Sequence, residues 1–371
     1  MVWSGKQARM ISRLLWIGFY LVLANVAQAA DFRVTFVNPG NETGFWGQVS
    51  QTMRAAAEDL DVDLEILNAN RQPYAMEELL QQRLMAGDLP DYFILVNENE
   101  AAARLVQLMA GKSSKVLFLL NKLTPKQKGI LENRGIDLSS IIASIVPDNE
   151  TAGYEMAQSL FARARVLDPD KKEIRLLALT GDAATPDGLH RELGMERAVA
   201  DNPDVTLVRE IPVDWNCDQA KARTRDVLGR THVDVIWGVD DAVALGARNA
   251  VEELGLKPGK DVLFAGLNWS RDGMDAVRNG EMTMTHGGHF FAGAWSLVML
   301  RDHFFKSAQG EVFVDVLFKM SPINSANIDQ YRQLLGDEDW GKIDFRRFSK
   351  SDTGRSSYDF SAEAIMKASG S

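Results

Sequence analysis

The sequence predicts an α/β protein of two similar doubly wound lobes, each a parallel sheet covered by helices on both faces, and three observations carry that prediction. The first is an internal repeat. Phe32-Arg33-Val34 returns as Ile174-Arg175-Leu176, and Met53 in its Ala-rich helix returns as Met195, both at an offset of 142 residues. Asp61-Val62-Asp63-Leu64 matches Asp204-Val205-Thr206-Leu207 and Asp91-Tyr92-Phe93-Ile94 matches Asp234-Val235-Ile236-Trp237 at 143, and Val116-Leu117-Phe118 matches Val262-Leu263-Phe264 at 146. Several elements in one order at a nearly constant offset mark two copies of a βαβα unit. The second observation is that the strands read as continuous apolar runs separated by helical patterns, as strands buried on both faces do. The third is size: 371 residues, 46% hydrophobic and 25% charged, is an ordinary globular composition with length for about two domains.

Taken in order, residues 1–29 stand apart. Lys6, Arg9 and Arg13 make a basic start, 14–24 is apolar, and Ala27-Gln28-Ala29 offers a small-x-small cleavage site, the pattern of a secretory signal peptide. The alternative is an uncleaved anchor, since 11–30 nearly spans a bilayer. The only cysteine is Cys217, so no lipid-bearing Cys follows the apolar run and no internal disulfide forms. The expected mature protein is soluble and periplasmic. Loss of the three leader cations takes the formal net charge from −10 to −13, which disfavours nucleic acid as a partner.

An apolar strand then ends at Phe36-Val37, and Asn38, Asn41, Thr43, Phe45 and Trp46 fill the turn before a helix. Ligands of open α/β sheets bind beyond the carboxyl ends of strands, so this turn reads as one wall of a cleft. The alternative is that Phe45 and Trp46 pack on Val49 and Met53 at the helix start. Strands follow at 63–68, 91–96 and 115–120, with helices at 74–85 and 101–109; Asn97-Glu98-Asn99 and Asn121-Lys122 close the last two strands. Residues 126–140 read as a polar insertion, and 141–146 as a further strand. Pro147-Asp148-Asn149 leads into the second lobe, with a helix at 151–164, a strand ending at Thr180-Gly181-Asp182, and a helix carrying His190, Arg191 and Gly194. The strand 233–239 ends in Asp240-Asp241, a cleft wall and helix cap at once, and 262–267 ends in Asn268-Trp269.

Asp240-Asp241-Ala242-Val243-Ala244-Leu245-Gly246-Ala247, Val262-Leu263-Phe264-Ala265-Gly266-Leu267-Asn268 and 272–284 resemble the second-lobe signatures of the type I periplasmic sugar-binding proteins, the ribose-binding group. The resemblance covers roughly 32–318. Within the group the chain looks closest to receptors of the autoinducer-2 type, on its Pro-Gly turn ending in aromatic-Trp, its Asn121-Lys122-Leu123-Thr124-Pro125 and its C-terminal extension. The resemblance implies two lobes joined by a three-strand hinge: 30–147 plus 287–311, 148–286 plus 312–333, and an extension at 334–371 packing on the lobes. It also implies ligand contacts from Asn41, Phe45, Trp46, Asn121, Arg191, Asp240, Asn268 and His286. Asp240 stands where sugar binders often have Asn, Asn268 where they often have Asp, and His286 where they often have Gln or, in the autoinducer receptors, Arg.

The chemistry is coherent without the family. Amides, a carboxylate and an Arg suit hydroxyls that both donate and accept, while Trp or Phe covers an apolar ring face. One cation, Arg191, and one anion, Asp240, in the same cleft favour a neutral polyol. The competing structural roles are a helix salt bridge to Glu192 or Glu196 for Arg191, capping for Asp240, and turn formation for Asn121 and Asn268. His286-Gly287-Gly288-His289 has no metal-ligand spacing, and no nucleophile elbow, Walker loop or zinc-protease motif is present, so neither a metal, a cofactor nor catalysis is expected. The expected function is that of an extracytoplasmic solute-binding protein, a monomer, delivering a sugar or polyol to an inner-membrane ABC permease. The alternative is a ligand receptor, for autoinducer-2 or a sugar, signalling to a membrane sensor kinase or cyclase. Beyond 334, Trp340, Ile343, Phe345, Phe348, Tyr358 and Phe360 are too apolar for a free tail, although past Ser349 one remains the alternative.

Overall fold

The computed structural model describes residues 31–306 and 314–369; the expected signal peptide at 1–29 lies outside the described residues. Strands β1 (Phe32–Asn38), β2 (Val62–Asn68), β3 (Tyr92–Leu95), β4 (Lys115–Leu119) and β5 (Ile141–Pro147) form one sheet. Strands β6 (Ile174–Thr180), β7 (Val205–Pro212), β8 (Val235–Gly238), β9 (Leu263–Leu267) and β10 (Met284–Gly287) form a second. Two late strands go one to each: β11 (Val314–Phe318) pairs with β5 in parallel, and β12 (Ser321–Asn324) pairs with β10 antiparallel. The spatial orders, β2-β1-β3-β4-β5-β11 and β7-β6-β8-β9-β10-β12, follow one pattern twice and differ only in the direction of the last edge strand.

Helices α1 (Gly44–Asp59), α2 (Ala75–Met85), α3 (Ala102–Met109) and α4 (Pro125–Asn133) belong to the first lobe. In the second lie α5 (Asn149–Leu167), α6 (Pro186–Ala200), α7 (Cys217–Leu228), α8 (Asp241–Glu253) and α9 (Arg271–Arg278), after which α10 (Ala292–Lys306) returns to the first. In β1 the period-two alternation puts Phe32, Val34 and Phe36 with Met53 of α1, while Val37 joins Met76, Leu80 and Leu105 on the opposite face. Both faces of the sheet are thereby buried. Among the described residues no helix is long and apolar enough to cross a membrane.

The chain passes between lobes three times: from β5 into α5, from β10 towards α10, and from β11 into β12. The last crossing departs from the sequence expectation. The sequence expectation assigns residues 312–333 to the second lobe, yet Val314 to Phe318 hydrogen-bonds alongside β5, with Phe318 in the buried core and Val316 packed against it, so the chain changes lobes after Phe318. The stretch 126–140, expected as a polar insertion, holds α4. The Thr124 side chain accepts from the Gln127 N–H and the Gln127 side chain accepts from the Thr124 N–H, a capping box reinforced by Pro125 at the first helical position.

From α11 (Ile328–Leu335) onward the chain runs over both lobes. Tyr331 meets Trp269 edge-on, Arg332 pairs with Asp275 and Glu338 with Arg271, all on the second lobe. Trp340 then packs on Phe290 and Phe291, the Phe345 N–H donates to Asp59, Asp302 accepts from the Ser349 hydroxyl, and Phe360 stacks on Trp295, all along α1, α10 and the turn leading into α10. Deleting 339–371 is expected to lower the melting temperature by at least about 10 °C, because each buried large apolar side chain contributes about 1.5–3 kcal/mol and a domain of this size shifts about 2–4 °C per kcal/mol. Calorimetric melting of the truncated chain checks this; an unchanged midpoint contradicts it.

Candidate functional site

The carboxyl ends of both sheets converge on one narrow cavity between the lobes, about 60 Å³ in volume, which is smaller than the usual small-molecule site. The first lobe contributes Phe45, Trp46, Arg71, Glu98 and Asn121. The second contributes Thr185, Asp187, Arg191, Trp215, Asp240 and Asn268, and His289 stands at the crossing into α10.

Arg191 is the most constrained of these groups. On α6, Gly194 lies against Glu150 of α5, and on α5, Gly153 lies against Arg191 itself. A Cβ on either glycine would collide with the facing backbone carbonyl, so only glycine lets the two helices meet at this distance. That contact places the guanidinium, 3% exposed, where Nε donates to Asn149 Oδ1 at 2.8 Å and Nη1 to the Val239 carbonyl at 3.0 Å. Trp215 covers it, with the guanidinium carbon 5.5 Å from the ring centroid. Burial pulls the Arg191 pKa down, opposed by Asp187 and Asp240. The expected alternative, a bridge to Glu192 or Glu196, is not formed; the partners are an amide and a carbonyl.

Asp240 both caps α8, its Oδ1 accepting from the Val243 N–H at 2.9 Å, and lines the cavity. Asn268 has φ 138° and Trp269 φ 55°, two consecutive non-glycine residues in the left-handed half of backbone space. Asp241 stabilises this loop by accepting from the Ser270 N–H and hydroxyl and from the Thr285 hydroxyl. Glu98 faces Arg71 at 3.5 Å. Burial, helped by Asp187 and Asp182, pushes Glu98 up to about 7 against the pull of Arg71.

Six of the eight expected contacts line the cavity: Phe45, Trp46, Asn121, Arg191, Asp240 and Asn268. Asn41 does not. It is exposed, and its side-chain oxygen accepts from the Thr43 N–H and hydroxyl, closing a local turn instead of reaching a ligand. His286 does not either. The alternation of β10 points Thr285 towards Asp241 and sends His286 to the other face, where Nε2 meets Glu155 of α5 at 2.8 Å. Three residues on, His289 takes the place on the cavity wall, stacked on Phe45 with ring centroids 4.4 Å apart.

Trp46 lines the cavity and is also part of the buried core. It is 5% exposed, lies over Gly40 and packs on Phe36, so it is core as well as wall. Arg71, Glu98, Thr185, Asp187, Trp215 and His289 were not anticipated as contacts. Arg71 and Trp215 follow β2 and β7, so reading every strand end as cleft would have found them. Asp187 is disguised as an ordinary acid in a first helical turn. Among the described residues no group of three or more His, Cys, Asp or Glu could hold a metal ion.

A family profile for the periplasmic binding protein domain matches residues 34–304. The chain belongs to this family. Among solved structures, this periplasmic binding protein is similar to a periplasmic sugar-binding protein from Pseudomonas fluorescens, with TM-score 0.79 and 34% identity over 90% of this chain and 99% of that one. It is 21% identical over 263 residues to the galactofuranose-binding protein of Escherichia coli, spanning 70% of this chain and 78% of the relative. A Mycobacterium smegmatis protein solved with β-D-fucofuranose has the same fold, with TM-score 0.69 at 20% identity over 83% of this chain and 96% of that one.

The two aromatics of the first turn should separate on mutation. Phe45→Ala is expected to leave the binding protein folded and weaken ligand binding by about 0.5–1.5 kcal/mol beyond lost contact area. Trp46→Ala should cost about 3–5 kcal/mol of stability. Denaturant melts paired with titration calorimetry measure both, and equal stability of the two variants contradicts the assignment.

Stability should also fall as pH rises from about 5 to about 7.5. Burial raises Glu98 and Glu192 to about 7 and Asp241 to about 6. Above its ordinary pKa each carboxyl has lost its proton in the unfolded chain while the folded chain still holds it, so the stabilisation disappears as pH climbs through the folded value. His289, held well below 6.5 by burial and by Arg191, acts in the opposite sense, but it stands against several carboxyls, because burial also raises Asp187, Asp240 and Glu210. Melting temperatures across this range without ligand check the sign; a rise towards pH 7.5 contradicts it.

Proposed function

We propose that the protein captures a neutral sugar or related polyol of about furanose size between its lobes in the periplasm and delivers it, as a monomer and without chemical change, to an inner-membrane ABC permease. The observation that carries this reading is the pairing of a buried, rigidly held Arg191 with Asp240 in one small cavity walled by Phe45, Trp46 and Trp215. The cavity lining sets the cations Arg71 and Arg191 against the acids Glu98, Asp187 and Asp240, so opposite charges offset one another and a charged ligand gains little. A polyol, by contrast, uses donors and acceptors at once. Relatives that bind galactofuranose and β-D-fucofuranose support the ring size.

In this reading ligand hydroxyls span Arg71 and Glu98 on one lobe and Arg191, Asp240 and Asn268 on the other. The ligand thus contacts the closed form more fully than the open one and shifts the population by that difference. A wrong ligand leaves buried polar groups unpaired at about 1–3 kcal/mol each, which supplies selectivity.

Titration calorimetry with L-arabinose, D-galactose and myo-inositol tests the proposal. The wild-type protein should bind at least one of them. Arg191→Ala should bind it at least about 100-fold more weakly, corresponding to about 3 kcal/mol from charged hydrogen bonds, while still melting cooperatively. A variant that folds and binds as the wild type does would remove Arg191 from the site.

A further inference from the structure

Asn121 commits both ends of its side-chain amide to Asp187. Its Nδ2 donates to Asp187 Oδ2 at 3.1 Å, and its Oδ1 accepts from the Asp187 backbone N–H at 3.1 Å. The two residues come from different lobes, Asn121 from the end of β4 and Asp187 from the start of α6, and both are buried at 3% and 8% exposure. The second Asp187 oxygen accepts from Asn149 Nδ2 at 2.6 Å, and Asn149 in turn accepts from Arg191. One chain of hydrogen bonds therefore runs from the first lobe through Asp187 to the guanidinium at the centre of the cavity.

We propose that Asp187 is a positioning residue that supplies the protein's own share of lobe closure: it latches Asn121 across the cleft and passes that constraint through Asn149 to Arg191. Within its own lobe Asp187 needs only Asn149 to be satisfied. The reciprocal pair with Asn121 exists only when the lobes are together, so its free energy belongs to the closed form alone. The latch makes closure partly independent of ligand and raises affinity, because a ligand meets a larger fraction of binding-competent molecules. The inference rests on reading the cavity as a site closed by two lobes, but its test needs no sugar.

The polarity of the pair provides the test. In Asp187→Asn the two side-chain amides meet donor to donor, because Asn121 must keep its oxygen on the 187 N–H. In Asn121→Asp two carboxylates face each other. The double exchange, Asn121→Asp with Asp187→Asn, reverses the side-chain bond, with the amide at 187 now donating to the carboxylate at 121, and keeps the bonds from the 187 N–H and from Asn149 in their original sense, so every group stays paired. Small-angle X-ray scattering of the ligand-free proteins should give a larger radius of gyration for each single variant than for the wild type, and a return to the wild-type value in the double variant. Asn121→Ala, which leaves the Asp187–Asn149 bond in place, serves as a further opened form should either single variant fail to melt cooperatively.

Where a sugar from the calorimetric panel binds, the single variants should lose about tenfold in affinity, as expected for about 1.4 kcal/mol from two net hydrogen bonds, and the double variant should recover it. Ligand-free radii that are the same in the wild type, Asp187→Asn and Asn121→Ala would overturn the proposal. Singles that open without rescue by the exchange would overturn it too. Radii that follow the predicted pattern while no sugar binds would contradict the ligand assignment and leave the latch standing.

Discussion

The site depends on keeping one guanidinium charged and buried. Taking an ion out of water costs several kcal/mol, and Arg191 is tolerated only because its hydrogens meet fixed acceptors. Those acceptors come from distant segments: Asn149 at the start of α5 and the Val239 carbonyl after β8, with Asp187 and Asp240 as the nearby charges. None is in place unless α5 and α6 close to glycine distance and β6 and β8 align. The contact of Gly153 and Gly194 with the facing backbone is thus a functional constraint expressed as packing. Loss of either glycine would move the cation before it disturbed any other wall of the cavity.

The two lobes are unequal partners. The second presents buried groups already oriented by its own structure: Arg191 and Asp187 share Asn149 as a hydrogen-bond partner, and Asp240 accepts from the Val243 N–H. The first presents Arg71, whose side chain is 58% exposed, facing Glu98. A ligand would therefore meet a preorganised half-site and be covered by a more adaptable one, which limits the ordering cost of binding to the covering side. Glu98, whose pKa burial raises to about 7, makes the charge of the covering side responsive to acidity near neutral pH.

Much of this was legible in the chain. The repeat gave the twofold topology because both lobes start their sheets at the same relative positions, Phe32 and Ile174 for the first strands and Val62 and Val205 for the second. Strand-end polarity located Asn121, Asp240 and Asn268, since a residue just past a parallel strand has nowhere to point except the ligand edge. What failed was side-chain direction. His286 and Asn41 sit in the right segments, but strand alternation turns one towards Glu155 and a two-residue hydrogen bond folds the other onto Thr43. Asp187 was unreadable for a different reason: its role exists only across the lobes, between positions 66 residues apart. The placement of β11 failed likewise, because an exchanged strand is apolar on one face whichever sheet it joins.

The account stands on the cavity holding a neutral, hydroxyl-rich molecule, and the most direct measurement is mass spectrometry of what the protein carries. Protein purified from periplasm without added sugar, then denatured, should release a neutral sugar or polyol approaching one molecule per chain. The same preparation of Arg191→Ala should release none. Release of an anionic or apolar molecule, or of the same sugar in equal amount from the variant, would contradict the account.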